Sequence, residues 1–227
     1  ETAAGAKAMV EDGLWDRAPH PEVIYGQHVW PGVAGTVEVP RGPAMALSDA
    51  FRVTVHGRGG HGSQPESTID PVVLAAHMIV RIQSLVSREI GAQKAAVITI
   101  ATIHAGLKEN IISPKAEFTI NMRNLDPDVR EHLLAGLERV IKAEAMASAA
   151  PEPEIERLYH FPLLHNDEEE TDKAMEVLRG ALGEDNVTLK PPVMGSEDFG
   201  LLLDAIGVPG VYWFFGGMSQ ETVDSEE

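Results

Sequence analysis

"KAEFTINMR", residues 115–123, decides the fold of the middle of this chain. Apolar and polar side chains alternate along it, as they do in a strand that buries one face. The apolar set is Ala116, Phe118, Ile120 and Met122, and the polar set is Glu117, Thr119, Asn121 and Arg123. The pattern therefore predicts a strand in a sheet that is covered on one face and polar on the other.

The neighbouring segments extend this strand into a recognisable order of elements. Alternation predicts further strands, and apolar spacing along one side, with Asp-Pro at each start, predicts two helices. The predicted order is strand 51–56, helix 70–88, strand 96–104, strand 115–123, a helix from Asp126 and strand 152–159. A β-α-β-β-α-β order is that of the ferredoxin-like motif, with two helices on one face of four strands.

The flanking segments alternate differently and predict an α/β domain with buried strands. They comprise helices 1–13, 166–183 and 198–206 and strands 23–29 and 211–215, the last apolar enough to have neighbours on both sides. We therefore predict a discontinuous α/β domain with an inserted ferredoxin-like α+β domain. The expected boundaries are 1–47 and 161–227 for the α/β domain and 48–160 for the insertion, with crossings at 42–49 and 160–167.

Composition limits the function classes. The 227 residues, 44% of them hydrophobic, suffice for one or two domains with real cores. With 18 Lys and Arg against 35 Asp and Glu, the net charge of −17 argues against nucleic acid and anionic membrane as partners. The absence of cysteine excludes disulfides and thiolate ligands within the chain and fits a cytoplasmic protein. Both ends look cut, so the chain is expected to be a piece of a longer protein.

Two segments place polar side chains where an α/β domain binds ligands. "YGQHVWPG", residues 25–32, puts His28 at the predicted end of a short strand, and imidazole is a common zinc ligand. "PVMGSEDFGLLL", residues 192–203, puts Glu197 and Asp198 before a predicted helix. The alternatives are a structural histidine in the first segment and a capped helix start in the second.

A third segment, "GRGGHGSQPESTIDP", residues 57–71, surrounds His61 with glycines. It lacks the Lys-Ser/Thr pair of a phosphate-binding loop. The remaining alternatives are a simple turn and a device that holds an imidazole away from the backbone, since glycines allow the chain to turn sharply. We favour the second.

Six ordered motifs then carry a resemblance to a known family. "ETAAGAKAMVEDG", "YGQHVWPG", "GRGGHGSQP", "ENIISP", "NMRN" and "MGSEDFG" resemble those of metal-dependent amidohydrolases of the aminoacylase, hippurate hydrolase and IAA-amino-acid hydrolase type. The resemblance implies a catalytic α/β domain that binds two divalent metal ions (zinc, manganese or similar). It also implies an inserted ferredoxin-like lid that forms a homodimer, and hydrolysis of the amide bond of an N-acyl amino acid.

The resemblance assigns metal binding to two positions. Glu1 resembles the second Glu of a Pro-Ala-Glu-Glu run, and His28 the His of a Gly-x-His-Val-x-Pro motif. The Cys-Gly-His-Asp ligand segment and the general-base Glu would precede residue 1, and a last metal histidine would follow Glu227. Two ligands cannot fill a tetrahedral zinc site, so these residues alone are expected to be inactive.

The resemblance assigns substrate contacts to five further positions. His61 resembles a lid histidine that reaches the substrate carbonyl, in related enzymes from the partner subunit. Asn110 resembles the asparagine of an Asn-x-Ile-x-Pro motif, and Arg123 resembles the arginine that meets the substrate carboxylate. Glu197 and Asp198 fit the Glu-Asp-Phe motif that lines the cleft, without a firm role.

Other functions remain open at this point. The chain could belong to a dipeptidase or an amino-acid deacetylase of the same superfamily. It could also belong to a metal-free relative that binds a peptide or amino acid without cutting it. The upstream and downstream ligand motifs of the full gene would separate the last possibility from the enzymes.

Overall fold

The computed structural model describes residues 5–226, which form a mixed α/β fold. The strands are β1 (Ile24–Val33), β2 (Val37–Pro40), β3 (Gly42–Met45), β4 (Leu47–His56), β5 (Gly60–His61), β6 (Ala96–Ala105), β7 (Ile111–Ile112), β8 (Lys115–Asn124), β9 (Glu154–Phe161), β10 (Leu164–Asn166), β11 (Val187–Lys190) and β12 (Gly210–Met218). The α-helices are α1 (Gly5–Glu11), α2 (Leu14–Arg17), α3 (Pro71–Glu89), α4 (Pro127–Ala147), α5 (Glu168–Leu182), α6 (Gly200–Asp204) and α7 (Gln220–Glu226).

The chain divides into two compact units. The inner unit spans residues 47–161, and the outer unit contains the segments before Leu47 and after Phe161. The inner unit contains a four-stranded sheet in the order β6-β8-β4-β9, in which every neighbouring pair is antiparallel. With α3 and α4 in the connections, this is the strand order of a ferredoxin-like fold.

Two long helices cover the apolar face of the inner sheet. Asp70 begins α3 by accepting the amide protons of Val72 and Val73, and Asp126 begins α4 by accepting that of Asp128. Both starts therefore agree with the prediction from Asp-Pro. The core between helices and sheet contains fully buried side chains from every layer, including Val53, Leu74, Met78, Ile82, Leu85, Phe118, Ile120, Met122, Leu133 and Ile141.

The outer unit contains a four-stranded sheet in the order β1-β12-β2-β11. β12 lies between β1, to which it is parallel, and β2, to which it is antiparallel, so the apolar segment has a neighbour on each side as expected. α5 packs on this sheet, and Val37, Val39, Met175, Val187 and Val211 form the core there.

Two short strands, β3 and β10, lie in the segments 42–49 and 160–167 that were expected to be crossings, and a third, β2, precedes the first of these segments. β3 and β10 pair with each other, and β2 pairs with both β12 and β11. Their pairing partners are distant in sequence, and Pro40, Gly42 and Pro43 disrupt any local strand pattern. Alternation along the chain therefore could not reveal them.

A buried amide holds these short strands together. Asn166 is fully buried, and its Nδ2 donates to the carbonyls of Pro40 at 2.7 Å and Tyr212 at 2.8 Å. Its Oδ1 accepts the amide proton of Tyr212 at 2.8 Å. Asn166 thus satisfies backbone groups of β2 and β12 that the short ladders leave unpaired.

None of the described helices has both the length and the apolar composition that a membrane crossing requires.

Candidate active site

His28 lies within β1, opposite Phe214 of β12, and its side chain is exposed. The prediction that His28 lies at the end of a short strand, 23–29, was wrong, because β1 continues through Pro31 to Val33. Proline is tolerated there because, among residues 5–226, β1 pairs with β12 alone and this pairing is irregular between Trp30 and Val33.

The ring of His28 has a defined hydrogen-bonding sense. Its Nδ1 contacts the carbonyl oxygen of Val29. A carbonyl oxygen can only accept, so Nδ1 carries the proton and Nε2 presents a lone pair. Histidines that bind metals in proteins commonly have this arrangement, with the second ring nitrogen donating to a carbonyl or carboxylate.

The described residues do not complete a metal site by themselves. Within residues 5–226, no group of three or more His, Asp and Glu side chains is arranged to hold a metal ion. His28 is the predicted ligand in that range, and the other, Glu1, lies outside the described residues. His28 therefore fits one coordination position, and the rest of any metal site must come from elsewhere.

Glu197 is held by two hydrogen bonds in the loop between β11 and α6. Its Oε2 accepts from the Tyr212 hydroxyl at 3.1 Å, and its Oε1 accepts from the amide of Asp198 at 2.9 Å. Burial, and then the negative charge of Glu197, raise the pKa of the Tyr212 hydroxyl well above its usual value. Tyr212 therefore remains a hydrogen-bond donor to Glu197 across the physiological pH range.

Asp198 binds a helix other than the one that follows it. The interpretation of this segment as a capped helix start was wrong, since α6 begins at Gly200 without a side-chain hydrogen bond at its start. Instead, Asp198 Oδ2 accepts the amide proton of Ala6 at 2.8 Å, in the first turn of α1. Glu197 and Asp198 together therefore connect Tyr212 of β12 to the start of α1.

Gly26 makes room for the aromatic side chains beside this pair. A Cβ atom at Gly26 would lie 2.7 Å from ring atoms of both Phe199 and Tyr212. These two rings pack against each other with their centroids 5.1 Å apart. Any side chain at this position of β1 would push the rings apart and displace the loop that carries Glu197.

His61 lies at the first position of a tight turn in the inner unit. The amide of Gln64 donates to the carbonyl of His61 at 2.9 Å, which closes the turn. Within it, the amide of Ser63 donates to His61 Nδ1 at 3.2 Å, and the Ser63 hydroxyl oxygen lies 2.8 Å from the same nitrogen. The imidazole is exposed, so the turn holds it at the surface of the unit.

Asn110 is paired directly with this turn. β5 and β7 form a two-stranded ladder in which His61 lies opposite Ile111, and the amide of Gly62 donates to the carbonyl of Asn110 at 2.8 Å. Residues 57–64 and 110–114 thus form one structure, which we name the tongue. It brings together two of the predicted site residues.

The glycines of the tongue permit close backbone approach. None of the four in residues 57–62 has a positive φ, so the expected sharp glycine turn is not the reason for them. A Cβ at Gly59 would lie 2.9 Å from the carbonyl oxygen of Ile112 and 3.1 Å from the nitrogen of Pro114. A side chain would therefore separate the two strands of the tongue.

Arg123 lies on the polar face of the inner sheet. Its Nε donates to Asn121 Oδ1 at 2.8 Å. The amide nitrogen of Asn121 lies 3.1 Å from the Ser48 hydroxyl and 3.2 Å from the Tyr159 hydroxyl. Side chains of β4 and β9 therefore fix Asn121, and Asn121 in turn holds the Arg123 guanidinium.

Arg123 and the tongue lie at opposite ends of the inner sheet. β4 pairs His56 with Lys115 at one end and Ser48 with Arg123 at the other, and the tongue continues from the first end through the hydrogen bond from Gly57 to Pro114. At about 3.3 Å per residue, the eight steps along β8 from Lys115 to Arg123 cover about 26 Å. Arg123 and His61 of one chain therefore do not converge on one small substrate.

Sequence reasoning missed three residues that hold the predicted ones. Ser63 contacts His61, Asn121 contacts Arg123, and Tyr212 contacts Glu197. Asn121 shares its face with Arg123 at a spacing of two residues, which the strand pattern could have revealed. Ser63 and Tyr212 gave no comparable signal, because a turn and a long-range contact define their roles.

Comparison with known proteins gives a consistent set of relatives. Residues 48–148 match the family described as a peptidase dimerisation domain. The chain is 34% identical over 96% of its length to a thermostable carboxypeptidase 2 of Saccharolobus solfataricus, covering 53% of that protein. It is 36% identical over 90% of its length to a hippurate hydrolase of Campylobacter jejuni, covering 53% of that protein.

A solved structure agrees with the fold. A Bacillus subtilis protein described as a dinuclear metal-binding peptidase of the M20 family matches 98% of this chain and 58% of its own with a TM-score of 0.73 at 24% identity. The chain spans about half the length of the curated relatives that it matches.

Proposed function

The chain is a homologue of the M20 peptidases and amidohydrolases, and on that premise we propose that the whole protein is a metal-dependent hydrolase of N-acyl amino acids. The observation that carries the proposal is the tongue, which holds the exposed imidazole of His61 beside Asn110. It lies within the segment that matches the dimerisation domain of peptidases.

Divalent metal ions are part of this proposal, as in the structural neighbour described as a dinuclear metal-binding peptidase. Such ions polarise an amide carbonyl and lower the pKa of bound water. His28 would supply one ligand through Nε2, since its Nδ1 proton is engaged by Val29. Glu1 remains a predicted ligand, and we expect the others from residues outside this chain.

Two lid residues would act on the substrate directly. His61 would donate from Nε2 to the carbonyl oxygen as negative charge develops there, an interaction that typically contributes about 3–4 kcal/mol. Arg123 would bind the free carboxylate of the amino acid, because a guanidinium pairs well with a carboxylate. Asn110, beside His61, would contribute a second polar contact near the carbonyl.

Glu197 and Asp198 would line the cleft without reacting. Their carboxylates already accept from Tyr212, from the Asp198 amide and from Ala6. We propose that the pair shapes the wall beside α1, the helix that follows the predicted ligand Glu1.

The distance between His61 and Arg123 favours a homodimer with a shared site. The carbonyl and carboxylate of an acyl amino acid are separated by only a few bonds, whereas about 26 Å of β8 separates the tongue from Arg123. A partner chain can supply the histidine that the chain carrying Arg123 cannot. The proposal is therefore that His61 acts on the site of the partner subunit.

β6 is the edge that suits this dimer. It contains no Asp, Glu, Lys or Arg, whereas the opposite edge strand, β9, contains Glu154, Glu156 and Arg157. Charged side chains on an edge strand oppose its pairing with another chain, so the uncharged edge is the one that we expect to pair with a second copy. In a symmetric antiparallel pairing of two β6 strands, the end near Ala105 of one copy meets the end near Ala96 of the other.

That pairing would bring the tongue of one copy to the Arg123 of the other. Ala105 pairs with Ala116, at the tongue end of the sheet, and Ala96 pairs with Asn124, next to Arg123. The tongue of each copy would thus lie at the Arg123 end of its partner.

The proposal is tested on the full-length protein with a panel of N-acyl amino acids, dipeptides and N-acetylated amino acids, each with and without added zinc or manganese. We expect metal-dependent release of the free amino acid, fastest with N-acyl amino acids. Preference for dipeptides or for acetyl groups would identify a dipeptidase or a deacetylase instead. Tight binding without turnover of any panel member would identify a non-catalytic binding protein.

A further inference from the structure

We propose that Ser63 is a positioning residue that fixes the protonation pattern and the orientation of the His61 ring. The proposal rests on the proposed function for its catalytic consequence, but its structural content stands independently. It follows from the hydrogen bonds inside the turn of residues 61–64.

The turn gives His61 Nδ1 the position of an acceptor. Asp and Asn side chains often accept from the amide two residues later, which stabilises a tight turn. Here the imidazole occupies that place, because the Ser63 amide donates to Nδ1 at 3.2 Å. The ring thereby becomes part of the turn.

An amide N–H can only donate, so Nδ1 must present its lone pair and the neutral ring carries its proton on Nε2. The Ser63 hydroxyl, 2.8 Å from Nδ1, can donate to the same lone pair and strengthens this preference. No described residue hydrogen-bonds Nε2, and the side chain is exposed. Because Ser63 occupies Nδ1, the group that the ring presents to a ligand is Nε2–H.

The alternative ring state would not serve the reaction. With the proton on Nδ1, or with the ring rotated by half a turn, Nε2–H would no longer be presented away from the turn. The substrate oxygen would then meet a lone pair or a C–H group instead of a donor. Ser63 therefore affects the rate through His61 without touching the substrate.

Nitrogen NMR of the full-length protein, labelled with ¹⁵N-histidine, tests the ring state directly. Spectra at about pH 8.5, well above the usual imidazole range, report neutral rings, and the signals missing from His61→Gln identify His61. We expect Nδ1 at the shift of an unprotonated nitrogen and Nε2 at that of a protonated one. A protonated Nδ1, or an even mixture of the two forms, would overturn the proposal whether or not the protein hydrolyses any substrate.

Variants of Ser63 test the role of the hydroxyl. In Ser63→Ala we expect the Nδ1 signal to shift and kcat to fall about three- to tenfold with little change in KM, as for loss of part of one hydrogen bond. Ser63→Thr keeps the hydroxyl and should restore both. Ser67→Ala is the matched control, since Ser67 donates to the Gln64 carbonyl in the same segment without contacting His61. Unchanged His61 signals and kcat in Ser63→Ala would contradict the proposal.

Discussion

His28 and His61 use the same ring nitrogen in opposite senses. Nδ1 of His28 donates to the Val29 carbonyl, whereas Nδ1 of His61 accepts from the Ser63 amide. Nε2 is consequently a lone pair in His28 and an N–H donor in His61. A lone pair on Nε2 suits a metal ligand, which is the role that we propose for His28. A proton on Nε2 suits a donor to a developing oxyanion, which is the role that we propose for His61.

Removing the imidazole of His61 should slow the chemical step. In the full-length protein, we expect His61→Ala to lower kcat about 100-fold with KM changed by less than about threefold, because the lost contact forms mainly in the transition state. Steady-state kinetics measure both constants. The control is His77→Ala, which removes an exposed histidine of α3. A wild-type kcat in His61→Ala would show that His61 takes no part in the chemical step and that the tongue has only a structural role.

Removing the guanidinium of Arg123 should weaken substrate binding. We expect Arg123→Ala to raise KM about 10- to 100-fold and to affect kcat less, since the carboxylate is present in both substrate and transition state. Arg52→Ala is the control, because Arg52 lies on the same sheet face and pairs with Glu156 and Glu117. The assignment fails if Arg123→Ala loses kcat at an unchanged KM, or if substrates without a carboxylate are equally impaired.

Removing His28 should release metal. We expect His28→Ala to bind at least about tenfold less tightly to zinc or manganese, by analogy with the loss of ligand support at metal sites. Metal content after dialysis, and competition with a chromophoric chelator, measure this without any activity assay. His20→Ala, which removes an exposed histidine of the same unit, should keep its metal. Full metal content in both variants would mean that His28 is not a ligand.

A charge on the edge of β6 should separate the proposed dimer into its two subunits. We expect Ile103→Lys, at a side chain that is 51% exposed, to give a monomer by light scattering at micromolar concentration. Leu158→Lys places the same charge on the β9 edge and should leave the dimer intact.

Activity should be lost with the dimer if His61 acts across it. Mixing His61→Ala subunits with His28→Ala subunits should then restore part of the activity, because one site of each heterodimer is complete. Proven subunit exchange without recovered activity would show that His61 serves its own chain.

Breaking the buried ion pair of the inner unit should destabilise it. Arg130 donates to both oxygens of Asp49, at 2.6 and 2.8 Å, and Asp49 is fully buried. Arginine side chains stay protonated in proteins, so Asp49→Ala leaves the Arg130 cation without its buried counterion, beside only the exposed Glu131. We expect a loss of about 3 kcal/mol in the free energy of unfolding, measured with urea. Glu152→Ala removes an exposed partner of Lys142 and should cost less than about 1 kcal/mol.

The inner unit was the more predictable part of the fold. Strands 96–104 and 115–123 differ from β6 and β8 by one residue at one end, and helix 70–88 differs from α3 by one residue at each end, because each element buries one face with a regular period. The outer unit was less predictable. β2, β3, β10 and β11 have three or four residues each and exist through partners that are distant in sequence.

The candidate site shows the same division. The motifs predicted His28, His61, Asn110 and Arg123 as site residues, but the residues that hold them depend on turn geometry and on contacts across strands. Asp198 illustrates this best, since its position before α6 suggested a cap for that helix and its actual partner is Ala6. A sequence pattern describes neighbours along the chain, whereas these contacts depend on neighbours in space.

Because the two strands of the tongue are hydrogen-bonded to each other, His61 and Asn110 cannot move independently. The backbone of the turn is fastened to residues 110–114 at three points, at Gly57, in the β5–β7 pair and at Gly62. A displacement of residues 110–114 would therefore move the histidine, although it leaves the histidine's own segment unchanged. A relative whose residues 110–114 lie at a different depth would present the imidazole at that depth as well.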